Sequence, residues 1–168
     1  MSSSELSDLH HKFIAIVDER NAITDPGDIA PYLVEQRGLY KGESALVLRP
    51  GSVEEVSQIL KLASETGTPV VPQGGNTGLT GAQVPLEGAI VISMARMNKV
   101  RDVDTAGATM IVEAGVVLQK VQEAADEAGL LFPLSLGAEG SCQIGGNLST
   151  NAGGTAVLAY GNTRLLCL

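Results

Sequence analysis

An α+β fold of two lobes is predicted, a small parallel βαβ lobe followed by a mainly antiparallel one. Three observations predict it. A strand–helix–strand succession occupies residues 45–73, a period-two hairpin pattern occupies residues 99–113, and a glycine-rich segment stands in each half. The lobes divide near residues 95–98. The domain reading is an N-terminal helical segment over 1–44, a first lobe over 45–97 and a second lobe over 98–168.

The elements follow in order. Leu6, Leu9, Phe13, Ile16 and Val17 draw one apolar stripe on a helix over residues 5–18. His10 and His11 flank the stripe as sequence neighbours, so they point apart and cannot share a metal as an i, i+4 pair would. Asp25-Pro26-Gly27-Asp28, Pro31 and Gly38 break the chain into a loop with a short helical turn. Ala45-Leu46-Val47-Leu48 reads as a buried strand ended by Pro50-Gly51. Ser52 precedes Glu55 by the capping-box spacing, and Val53, Val56, Ile59, Leu60 and Ala63 share a helical face that Gly67 terminates. Pro69-Val70-Val71-Pro72 and Ala89-Ile90-Val91-Ile92 complete the βαβ succession. Lys99 to Asp104 alternates, Ala106-Gly107-Ala108 turns, and Thr109 to Glu113 returns as the partner strand. Val117, Val121, Ala124, Ala125 and Ala128 mark a second helix, with Gly129 at its end.

Composition narrows the function. Against 11 Lys+Arg stand 19 Asp+Glu, a formal charge of −8, and the sequence pI is near 4.7. No basic block overturns that average, so nucleic acid is excluded as a partner. No apolar run approaches the ~20 residues of a membrane-crossing helix. The N-terminus carries neither a secretory nor a transit pattern, and Cys142 and Cys167 form no redox motif, which together predict a cytoplasmic protein.

The 20 glycines among 168 residues, against about 7% in average usage, are the signal to follow. The first segment, Gly74-Gly75-Asn76-Thr77-Gly78-Leu79-Thr80-Gly81, follows a strand, where backbone N–H groups form an anion-binding concavity or a sharp turn. Its spacing is not the dinucleotide fingerprint, and no Gly-Lys-Ser/Thr of a P-loop is present. The second segment, residues 137–154, holds six glycines interspersed with Ser141, Asn147, Ser149, Thr150 and Asn151. Either a flat ligand lies against it, or its hydroxyls and amides satisfy their own backbone.

The chain resembles the FAD-linked oxidases with a vanillyl-alcohol-oxidase-type flavin domain. Within them it is most similar to the D-2-hydroxyglutarate and D-lactate dehydrogenases and the glycolate oxidase D subunits. Three blocks carry the likeness: Val47-Leu48-Arg49-Pro50-Gly51-Ser52-Val53-Glu54-Glu55-Val56, Pro72-Gln73-Gly74-Gly75-Asn76-Thr77-Gly78-Leu79, and Leu136 to Asn147 continuing through Tyr160-Gly161.

The resemblance implies a two-lobed FAD-binding domain of a flavin-dependent oxidoreductase. Gly74, Gly75, Asn76, Thr77 and Gly78 would wrap the pyrophosphate with backbone amides, and Pro72 and Gly81 would also belong to the cofactor site. Gly137, Ser141, Gly145, Gly146 and Asn147 would line the path from adenine to flavin, and Asn151, Gly153 and Gly154 would approach the ribityl and ring end. Residues 74–77 hold no His or Cys for a covalent tether, so non-covalent FAD is expected. The implied reaction is oxidation of a D-2-hydroxyacid to the 2-oxoacid, with electrons passed to a separate acceptor. A sugar or alcohol oxidase of the same superfamily, or a non-catalytic FAD-binding module, are the alternatives. The family continues beyond the equivalent of Tyr160-Gly161 into a substrate domain, so the hydroxyacid is expected to be held outside these residues and no catalytic or metal residue is assigned. By the same resemblance the second lobe is expected to lack strands that complete its sheet in the family, and the open edge predicts self-association. Glu139 is read as structural and Cys142 as an inert packing thiol.

Overall fold

Four short strands build one sheet in the N-terminal half: β1 (Ala22–Ile23), β2 (Val47–Leu48), β3 (Val70–Gln73) and β4 (Ile90–Ser93), in the spatial order β1-β2-β4-β3. The computed structural model describes residues 3–168; Met1 and Ser2, which open the segment read as 1–44, lie outside the described residues. The chain divides into two compact units, Met1–Arg96 and Met97–Leu168.

In the first unit, β2 and β3 both run parallel to β4, with Val47 and Val71 in register with Val91. The parallel βαβ arrangement is therefore as expected. The sheet also carries an antiparallel edge strand, β1, with Ala22 opposite Leu48. Two residues display no periodicity, which is why the sequence reading passes over them. Pro72 sits in β3, at the edge of the sheet, where its missing N–H costs little.

Alternation sends β-strand side chains to two faces. Leu48, Ile90 and Ile92 pack with Phe13 and Val17 of α1 (Ser3–Val17) and with Ile59 and Ala63 of α3 (Val53–Thr66). Val47 and Val91 meet Ile29 of the short helix α2 (Pro26–Ile29) on the other face. Each of the Val, Leu, Ile and Phe side chains among these contributes about 1.5–3 kcal/mol by leaving water. Leu6, first of the expected stripe on α1, remains 43% exposed, so the packed face begins at Leu9.

The cap of α3 departs from a reciprocal capping box. Ser52 Oγ accepts from the Glu55 N–H at 3.1 Å, but the Glu55 carboxylate accepts from the N–H of Gly51 at 2.7 Å, one residue before Ser52. Arg96 Nη1 stands 3.7 Å from the same carboxylate. At the other end Gly67 takes the left-handed conformation, φ +67°, and terminates the helix.

The second unit begins with the hairpin of β5 (Val100–Asp104) and β6 (Thr109–Val112). Asp104 pairs with Thr109, and the register slips between Val100 and Asp102, leaving Arg101 as the extra residue of a bulge. At the turn the Asp104 carboxylate accepts from the N–H groups of Ala106 and Gly107 at 3.0 and 3.1 Å. The left-handed residue there is Ala108, φ +50°, rather than a glycine. Helix α4 (Leu118–Glu127) follows, with Gly129 at φ +71° beyond its end. Its Leu118 and Val121 pack with Val116, Leu134, Cys142 and Ile144.

The glycine-rich stretch 137–154 contains helix α5 (Ile144–Ser149), and α6 (Val157–Tyr160) follows it. Gly145 and Gly146 lower helix propensity enough to hide α5 from a pattern search. Among the described residues no helix is long and apolar enough to cross a membrane.

Candidate functional site

The first glycine segment leaves β3 at the C-terminal end of the parallel strands, the end at which open α/β sheets bind ligands. Gln73 anchors it from within. Its buried side chain donates through Nε2 to the carbonyls of Tyr32 and Gln83, at 2.9 and 3.0 Å. Gly74, Gly75, Asn76, Thr77 and Gly78 are half-buried, while Pro72 is exposed.

The residue with positive φ at the heart of this segment is Asn76, φ +53°. Asn tolerates that conformation better than most side chains. Its Nδ2 donates to the carbonyls of Pro31 and Val34 at 3.1 and 2.8 Å. Two carbonyl acceptors fix which end of the amide is nitrogen, and the buried Oδ1 is left without a partner. Gly78 and Gly81 have reasons inside the chain. A Cβ on Gly78 would stand 2.8 Å from Gln83 Oε1, and one on Gly81, φ +77°, 2.8 Å from the Tyr40 ring.

In the second unit the six glycines of residues 137–154 separate into two groups. Four have neighbours: the backbone of Ala114 and of Ser135 excludes a side chain at Gly145 and Gly154, whereas Gly140 and Gly153 meet only side-chain atoms, Gln119 Oε1 and Val157 Cγ2, at 3.3 Å. Gly137 and Gly146 are exposed, lack a left-handed backbone, and have no heavy atom within 4 Å of a built Cβ. A helix-interior glycine with free space beside it costs stability and gains nothing from the fold. Of the two, Gly146 lies inside α5 and so fits close approach by something outside the chain, whereas Gly137 lies in a turn.

The hydroxyls and amides of this segment largely serve their own backbone. Ser149 Oγ donates to the Gly145 carbonyl at 2.7 Å, and Thr150 Oγ1 to that of Gly146 at 2.9 Å. Ser141 Oγ bonds the Ala138 carbonyl at 3.4 Å. Asn151, at φ +52°, accepts through Oδ1 from the Arg164 N–H. Asn147 is buried and donates to Cys142 Sγ at 3.6 Å. Beside it, Gln143 Oε1 is buried with no partner.

Glu139 accepts from the Leu136 N–H at 3.1 Å. Hydrogen bonds from the Ser135 and Gln122 side chains, with that N–H, hold its carboxyl below the usual range against the opposing effect of burial. That is the behaviour of a turn-fastening carboxylate. Burial pushes the Cys142 thiol up, which suppresses the thiolate and makes it inert. Among the described residues no group of three or more His, Cys, Asp or Glu could hold a metal.

Three buried polar residues escape the sequence reading. Gln73 and Gln143 are polar residues buried beside glycine blocks, a signal that only burial reveals. Glu35 lies in the breaker-rich stretch before the first lobe, 2% exposed.

A family model described as FAD binding domain matches residues 44–168. The chain is 40% identical over 161 residues to the mitochondrial D-2-hydroxyglutarate dehydrogenase of Arabidopsis thaliana, covering 96% of the chain and 29% of the relative. It is 38% identical over 148 residues to a putative mitochondrial D-lactate dehydrogenase of Schizosaccharomyces pombe, covering 88% and 28%. Among solved structures, an alkyldihydroxyacetonephosphate synthase superposes with a TM-score of 0.83 at 22% identity, over 96% of this chain and 32% of that one. The chain thus spans less than a third of the length of the curated relatives it matches.

Proposed function

The chain belongs to the FAD binding domain family, and from that premise we propose that it is the flavin-binding part of an oxidoreductase that converts a D-2-hydroxyacid to the 2-oxoacid. The observation that carries the substrate class is the 40% identity, over nearly the whole chain, with a protein named as a D-2-hydroxyglutarate dehydrogenase. The chemistry FAD supplies when bound is acceptance of the hydride that leaves the hydroxyacid carbon.

The contribution of these residues is binding and orientation. The backbone of Gly74, Gly75, Asn76, Thr77 and Gly78 would offer its N–H groups to the pyrophosphate, which suits a chain of charge −8 because local dipoles rather than net charge attract the anion. Gly137 and Gly146 present bare backbone to the cofactor. Gly145, Gly153 and Gly154 let the chain pack tightly behind that surface, while Ser141, Asn147 and Asn151 fix its turns. Pro72 and Gly81 bound the first loop. With no His or Cys in residues 74–77, attachment is non-covalent.

The hydroxyacid and a separate electron acceptor are met outside these residues in this reading, in keeping with relatives more than three times as long. Two free cysteines favour a reducing compartment, the cytoplasm in this reading, although both relatives above are named as mitochondrial.

Titration of the purified chain with FAD, followed by flavin fluorescence, tests the cofactor. Saturable quenching and release of intact FAD on denaturation are expected, and a chain that takes up no FAD overturns this part. The substrate class is tested on the full-length protein, where D-2-hydroxyglutarate, D-lactate or glycolate should bleach the flavin without oxygen. Failure of all three overturns it.

A further inference from the structure

The first glycine loop is held from outside by a strap that precedes the family-matched residues. A small hairpin, residues 33–42, is closed by the Val34↔Lys41 bridge and by the Gly42 N–H donating to the Leu33 carbonyl at 2.7 Å. The Val34 carbonyl on one flank, with that of Pro31 just before the hairpin, accepts from the Asn76 amide. From its tip the Arg37 guanidinium donates to the Leu79 carbonyl. The Tyr40 ring covers Gly81, and the Glu43 N–H donates to the Pro85 carbonyl at 3.1 Å. The strap thus touches the loop at Asn76, Leu79 and Gly81 and the chain beyond it at Pro85.

What shapes the strap is one buried carboxylate. The Glu35 carboxylate accepts from three backbone donors of the hairpin tip, the N–H groups of Arg37, Leu39 and Tyr40, at 2.7, 2.5 and 3.3 Å. Its side chain is fully buried, and the Arg37 Nε lies 3.9 Å away. Charge-assisted bonds of this kind are among the stronger ones available to a turn. A hairpin tip needs no ionised side chain to reverse direction, and Gly38 at φ +69° already turns the chain. The carboxylate instead fixes where Arg37 and Tyr40 point, and both point at the glycine loop.

We propose that Glu35 is a positioning residue for the cofactor loop: by fixing the tip of the 33–42 hairpin it holds the backbone of residues 76–81 in its binding conformation before a ligand arrives. The proposal rests on the reading of that loop as the FAD pyrophosphate site. A preorganised loop spares the ligand the cost of ordering it, so the effect is on affinity.

Hydrogen exchange on the unliganded 168-residue chain, with FAD titration alongside, tests it. In Glu35→Gln, amides of residues 76–81 should exchange about tenfold faster or more, the worth of a lost charge-assisted bond. Amides of Ile90–Ile92 should keep their protection, and the FAD dissociation constant should rise by a similar factor. Arg37→Met, at an exposed position, should loosen residues 78–81 without changing the melting temperature, and it decides the matter if Glu35→Gln does not fold. Glu54→Gln, the same charge change on α3, should alter neither readout. Unchanged exchange at 76–81, or loosening of β4 to the same degree as the loop, overturns the proposal. Wild-type chain that binds no FAD would sink the cofactor reading instead, while exchange still decides whether Glu35 positions the loop.

Discussion

A Cβ placed on Gly154 would stand 1.8 Å from the carbonyl oxygen of Ser135, on a backbone with φ +74°. Two independent penalties therefore meet at one residue, a left-handed backbone and a main-chain overlap that no rotamer relieves. Gly154→Ala is expected to destabilise the second unit by about 2–4 kcal/mol. Urea unfolding of the purified variant measures it, and a loss under ~1 kcal/mol would mean that the Ser135 segment yields.

Gly146 behaves oppositely. It lies inside α5 with nothing near its missing side chain, so Gly146→Ala should stabilise the unliganded chain by about 0.5–1 kcal/mol through helix propensity alone. If Gly146 is bare because FAD approaches it, the same variant should bind FAD about tenfold more weakly or worse. Thermal unfolding and fluorescence titration on one preparation read both effects. Raised stability with unchanged affinity would remove Gly146 from the site.

The contrast shows what was legible in the sequence. Glycine density marked both segments, because a helix former replaced by glycine leaves a compositional trace. Which glycines answer to the chain and which to a ligand was not legible, since it depends on Ser135, Ala114 and Gln119, brought near only by folding. The βαβ unit and the hairpin were legible through their periods. Strand β1 and helix α5 were not, one having two residues and the other two adjacent glycines. Positive φ also escaped the rule that assigns it to glycine, falling on Asn76, Ala108 and Asn151. Glu35 left no local signal, because its three backbone partners are defined by the turn it stabilises.

Acid should loosen the second unit through Glu113. Its carboxylate accepts from the Lys99 N–H at 2.9 Å and from Nε and Nη2 of Arg101 at 3.2 and 3.0 Å. The Lys99 N–H, then the Arg101 side chain, hold this carboxyl below its ordinary 4.5, against burial, which raises it. A carboxyl lowered on folding contributes stability that is fully present above 4.5 and is lost as pH falls from there through its folded value. Glu113→Gln should therefore be less stable than wild type at pH 7, with the gap closing as the pH drops below that range. Urea midpoints across this pH series check it; a gap independent of pH would assign the effect to packing rather than charge.

Self-association, expected for an open sheet edge, can be assigned to one strand. β5 and β6 pair only with each other among the described residues, so each offers an outer edge. The edge of β5 carries Arg101, Asp102 and Asp104, all exposed, and charges of this kind deter a second strand. β6 reads Thr109-Met110-Ile111-Val112 with no charge, and Ile111 is 57% exposed. Pairing of β6 with its copy in a second molecule is the arrangement that buries this edge. Sedimentation velocity over a concentration series should show a dimer that Ile111→Lys abolishes, because two lysines would then face each other near the pairing axis. Wild-type monomer at every concentration would mean that the edge is too short or too twisted to pair. A dimer that survives Ile111→Lys would move the interface elsewhere.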